Sequence, residues 1–106
     1  MIQPALMARL ALPAEVTAFA DEQGVSAYLP AVAELTRRVF PAARRLTVLV
    51  EDDPEIPDDR HIVFEVDVPL TIPEALAAER RWSEELFRIC PAPLVCVFRL
   101  SADLVA

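Results

Sequence analysis

A chain of 106 residues has the size of one ordinary domain, and this one carries ten Arg, no Lys, a single Gly and a formal charge of −7. One glycine leaves no means of building a phosphate-cradling loop, a dinucleotide fingerprint or a G-x-S-x-G nucleophile elbow, and the acids crowd residues 51–106, where thirteen face five Arg and would repel a nucleic-acid duplex. No apolar run nears the roughly 18 residues of a membrane span, yet 55% of the residues are hydrophobic and the mean hydropathy is +0.35, a surplus for so small a core that favours a homo-oligomer or a tight partner interface.

Residues 1–13 form an apolar segment able to make a short helix around 5–11. It has no basic n-region, and Arg9 lies inside the would-be apolar core of a signal peptide. The single domain then covers residues 14–106. Val16, Phe19 and Ala20 recur at helical spacing over 14–23, and Gly24 follows as the left-handed cap. A second helix spans 29–40, with Pro30 in its first turn, Val32, Leu35 and Val39 on one face, Glu34, Arg37 and Arg38 on the other, and Pro41 at its end.

From Arg45 the period changes to two. Leu46, Val48 and Val50 share one face of a strand, and Ile62, Phe64, Val66 and Val68 share one face of the next. Between them runs a hairpin loop of about ten residues, stiffened by Pro54 and Pro57. Thr71 and Glu74 fit a capping box for a helix over 73–90, in which Ala75, Ala78 or Glu79, Trp82, Leu86 and Ile89 form the buried stripe. Pro91 and Pro93 end it, and the apolar run from Leu94 to Leu100 reads as a third strand. The fold class is therefore α+β, order α-α-β-β-α-β, a three-stranded mixed sheet with helices mainly on one face. The other face presents Val63, Glu65, Asp67, Val95, Val97 and Arg99, and another subunit or the N-terminal helix is expected to cover part of it, with Arg99 pairing Glu65 or Asp67.

Six carboxylates, Glu51, Asp52, Asp53, Glu55, Asp58 and Asp59, fall inside nine positions and lead into the only histidine, His61. These are the residue types that hold divalent cations. Their consecutive placement on one loop, with prolines and no glycine, does not fit an EF-hand or a site assembled from separate rigid elements, so a solvated hairpin tip is the stronger reading, with a recognition patch for a basic partner next. His61 opens a strand on the Val63, Glu65 and Asp67 side and reads as a surface residue beside acids. Trp82 reads as the anchor of a small core. Cys90 and Cys96, in a C-x5-C spacing that matches neither a redox pair nor half of a zinc ribbon, read as reduced, buried thiols.

The run from Phe40 to Val66, followed by residues 74–86 and a C-terminal strand, resembles small bacterial proteins with the same helix, hairpin with an acidic Asp-Pro-Glu tip, helix and strand. That group has no established activity, so the resemblance implies the element order and no catalytic residue. The sequence reading is a non-enzymatic cytoplasmic interaction module, a homodimer without cofactor that binds neither nucleic acid nor membrane. Its acidic tip (Glu51, Asp52, Asp53, Glu55, Asp58 and Asp59) contacts a basic protein. The alternatives are a metal-dependent hydrolase or nuclease using Asp52, Asp53, Asp58 and Asp59, and an antitoxin-like neutraliser of a basic protein.

Overall fold

The computed structural model describes residues 12–106; of the apolar segment read at 1–13, all but Leu12 and Pro13 lies outside the described residues. Helix α1 spans Ala14–Gln23 and stops where Gly24 takes a left-handed φ of 73°. Its Cβ-free backbone meets no steric penalty there, and Val25 closes the turn by donating its N–H to the Ala20 carbonyl at 2.9 Å. Helix α2 spans Leu29–Val39, with Pro30 in the first turn. Strands β1 (Arg45–Asp52) and β2 (Arg60–Val68) follow, then helix α3 (Ile72–Ile89), a 3-10 turn (Ala92–Val97) and strand β3 (Phe98–Leu104). The α3 N-terminus carries the full capping box: the Thr71 hydroxyl accepts the Glu74 N–H, and the Glu74 carboxylate accepts the Thr71 N–H at 2.9 Å.

The sheet order is β1-β2-β3, with β1 antiparallel and β3 parallel to the central β2. Register sets Leu46, Val48 and Val50 opposite Val66, Phe64 and Ile62, while Phe98, Leu100 and Ala102 lie beside Ile62, Phe64 and Val66. Directly paired residues share a face, so these side chains make one apolar floor. Val16 and Phe19 of α1, Val32 and Leu35 of α2, and Trp82 and Leu86 of α3 complete the same buried cluster. Trp82 is its anchor: the indole lies 6.4 Å from the Phe64 ring, and its N–H donates to the buried Thr36 hydroxyl at 2.9 Å.

Two expectations change. The third strand begins at Phe98 rather than Leu94, because Pro91 and Pro93 turn the apolar run into a 3-10 segment in which Leu94 donates to the Pro91 carbonyl at 2.8 Å. The strand is instead the alternating stretch Phe98, Leu100, Ala102 and Leu104, with Arg99, Ser101 and Asp103 between them. Helix α1 joins the core face through Val16, Phe19 and Ala20, and on the opposite face Val63 is buried while Thr47, Leu49, Glu65, Asp67 and Ser101 are half-buried. The cysteines differ as well: both are free, but Cys96 is exposed and only Cys90 is buried.

Candidate functional site

The β1–β2 hairpin organises its own tip. The last ladder pair is Asp52 with Arg60, and the Asp53 N–H donates to the Asp59 carbonyl at 2.7 Å to close the mouth. One Asp53 oxygen accepts the N–H groups of Glu55 and Ile56 at 2.8 and 3.0 Å, the local side-chain to backbone bonding that makes Asp a turn residue. Asp58 adopts a positive φ of 63°, a conformation Asp tolerates better than most residues. The Glu55 and Ile56 amides hold the Asp53 carboxyl below its ordinary pKa, the Glu55 amide most of all, and nearby Arg99 and His61 add to the effect.

The six carboxylates divide by this geometry. Asp53 and Asp59 turn inward and are half-buried, whereas Glu51, Asp52, Glu55 and Asp58 are exposed. Among them stands Ile56, 55% exposed at the apex. Sequence periodicity missed it because it lies between two prolines, outside any helix or strand pattern; an apolar residue inside an otherwise charged loop was the available signal. Asp52 stays near solvent while meeting Arg60 at 3.0 Å, and Arg60 also meets Glu15 at 3.5 Å and lies 5.2 Å from the Phe19 ring centroid. This arginine therefore ties α1 to the hairpin root.

His61 is on the predicted face but is buried, only 7% exposed. Its Nδ1–H donates to the Cys96 carbonyl at 3.0 Å, and its Nε2 lies 3.1 Å from an Asp59 oxygen. A carbonyl only accepts, so the Nδ1 proton is fixed by the 3-10 turn and Nε2 is directed at the carboxylates. Arg99, expected opposite Glu65 or Asp67, instead lies beside Val63 and approaches Asp53 at 4.0 Å, because β3 starts four residues later than predicted.

The ligand atoms of Asp53, Asp59 and His61 lie within 4.8 Å of one another. One imidazole and two carboxylates suit a borderline divalent ion such as Mn²⁺ or Zn²⁺, although the Arg99 guanidinium already brings positive charge to this spot. Asp52 and Asp58, the other members of the sequence-derived metal set, point elsewhere. At the far end of β1 the charge reverses, with Arg37, Arg44 and Arg45 around one cleft. Among the described residues no helix is long and apolar enough to cross a membrane. Comparison with protein-family models, curated proteins and solved structures returns no match.

Proposed function

We propose that this chain is a non-enzymatic, homodimeric interaction module of the cytoplasm whose hairpin tip docks on a basic protein. The observation that carries this reading is the pairing of an exposed apolar apex, Ile56, with four outward carboxylates on a tip held in shape by two inward ones. An apolar anchor ringed by charge is the anatomy of a compact recognition surface, and a preformed tip loses little conformational entropy on binding. Basic residues on the partner would meet Glu51, Asp52, Glu55 and Asp58, and an apolar pocket would take Ile56. If the partner's basic surface binds nucleic acid, docking would mask it, which is how an antitoxin-like neutraliser works.

Co-purification with the product of the adjacent gene tests this. The expected result is a basic protein retained at about 0.05 M salt, released near 0.5 M as screening shortens the reach of charge, and lost on combining Glu51→Gln, Asp52→Asn, Glu55→Gln and Asp58→Asn. An adjacent product that does not bind, or that binds the neutralised tip equally well, refutes the reading.

The 4.8 Å cluster of Asp53, Asp59 and His61 favours a second reading, a divalent-metal site that activates water for hydrolysis. Calorimetry with Mn²⁺ or Zn²⁺ would show heat that disappears in Asp59→Asn; no heat from the parent protein ends it.

A further inference from the structure

Strand β3 is an edge of the sheet, and no strand among the described residues pairs with its outer side. Val105 donates its N–H to the Val68 carbonyl at 3.0 Å, so odd-numbered positions turn their backbone groups toward β2. Backbone groups alternate along a strand, and Phe98, Leu100, Ala102 and Leu104 therefore present theirs outward. Such a row of free donors and acceptors is a template for another strand, and proteins normally blunt it with proline, a bulge or a covering element. The stretch "FRLSADL" contains no proline.

The strand is also complementary to itself. Turned antiparallel about Ser101, Phe98 falls opposite Leu104 and Leu100 opposite Ala102 on the core face, while Arg99 falls opposite Asp103 on the other. Outward-bonding positions meet outward-bonding positions in this register, so the ladder closes. The Arg99–Asp103 pairs occupy the non-hydrogen-bonded sites, where side chains approach most closely. Arg99 is 53% exposed, and among the described residues its ion pairing is the 4.0 Å approach to Asp53.

Helix α3 carries a surface that the same twofold axis would bury. One flank meets α2 through the Arg38–Glu85 pair at 2.8 Å, and another rests on the sheet through Trp82 and Leu86. The third flank shows Ile72, Leu76 and Phe87 at 64%, 57% and 60% exposure. Its middle residues, Glu79 and Ser83, share a cleft with Phe98, Arg99 and Leu100, so this flank lies beside the first half of the strand. Rotation about Ser101 then lays α3 antiparallel to its mate on the same side of the joined sheet. With Leu104 the exposed apolar side chains come to roughly 500 Å² per copy, and seven paired strand residues bring the total toward the approximately 800 Å² per partner of a stable interface.

We propose that a second copy of this chain docks here, joining β3 to β3 about a twofold axis at Ser101 into a continuous six-stranded sheet with the α3 flanks packed above it. This specifies the homodimer in the reading above and does not depend on the acidic tip. Sedimentation equilibrium of the full chain is expected to give twice the 11.8 kDa chain mass. Arg99→Asp or Asp103→Arg sets like charges opposite each other at both symmetry-related sites, and each should raise the dimer dissociation constant by about tenfold or more. An equimolar mixture of the two variants restores both pairs and should recover dimer as a heterodimer, which a misfolded variant could not do. Neutralising the tip leaves the mass unchanged, and Asp103→Arg, which lies away from the tip, still binds the tip's partner, so the two readings fail separately. A monomer at ~100 μM, well above the micromolar range of ordinary specific association, overturns the proposal. A dimer indifferent to both variants, or variants that stay monomeric when mixed, overturns it equally.

Discussion

The contact between α2 and α3 rests on one buried polar link, and Thr36→Val tests it. Thr36 is fully buried and Trp82 is 3% exposed. The Thr36 hydroxyl donates to the Val32 carbonyl at 2.8 Å while accepting the Trp82 indole N–H at 2.9 Å. Valine keeps the shape and removes the acceptor, so the indole N–H is left buried and unpaired. That costs about 1–3 kcal/mol, and because 1 kcal/mol moves the midpoint of a domain this size by about 4–8 °C, Tm should fall by roughly 10 °C. Trp82→Phe removes the donor but leaves the hydroxyl bonded to Val32, so its cost is the lost indole volume alone. The double variant should therefore be less destabilised than the two single changes added together, with a coupling of about 1 kcal/mol or more. Urea unfolding gives each value, followed by the fluorescence of the single tryptophan for Thr36→Val and by far-UV circular dichroism for the Phe variants. If Thr36→Val lies within about 0.5 kcal/mol of the parent, or if the two changes simply add, the link does not hold the helices as described.

Acid should weaken the fold at two known places. Asp53 and Glu74 both have folded pKa values below their ordinary ones, Asp53 chiefly through the Glu55 amide and Glu74 through the Thr71 amide and hydroxyl. Their stabilisation is complete above the unfolded value of about 4 and is lost as pH falls through the lowered folded values; Asp53→Asn and Glu74→Gln should each flatten the decline of the urea midpoint between about pH 5 and 2, and an unchanged slope would contradict the assignment. The thiols should differ in reactivity, since Cys96 is exposed whereas burial, reinforced by nearby Cys96, pushes the Cys90 thiol up. Native alkylation followed by intact-mass measurement should show one adduct forming well before a second; two adducts at equal rates would contradict the burial of Cys90.

The hairpin and α3 were legible because their signals are local: apolar period two in β1 and β2, and a capping box ahead of a 3.6-residue stripe in α3. The third strand was misplaced for a reason equally physical. Leu94 to Val97 is the more apolar stretch, but it follows Pro91 and Pro93, and the 3-10 turn they favour uses it to fill the corner between α3 and the sheet. The true strand was marked by alternation rather than by total hydrophobicity. At the site, sequence grouped six acids on one hairpin and could not sort them. The inward turn of Asp53 and Asp59 follows from closure of the hairpin mouth, and the burial of His61 requires a carbonyl 35 residues away in the chain. No local pattern encodes a contact of that separation.

This sorting has a consequence for how the tip can be altered. Asp53 satisfies two loop amides and Asp59 meets the buried imidazole, so both belong to the internal hydrogen bonding of the hairpin. Glu51, Glu55 and Asp58 are exposed and meet no cation among the described residues, and Asp52 shares its charge with Arg60 while remaining 78% exposed. Removing the inward pair should therefore change stability first and binding second, whereas removing the outward set should relieve like-charge repulsion and leave the fold intact or slightly firmer. A tip that gains stability as it loses its partner is the signature of charge kept for recognition. Equal destabilisation by both sets would mean instead that all six acids serve the turn.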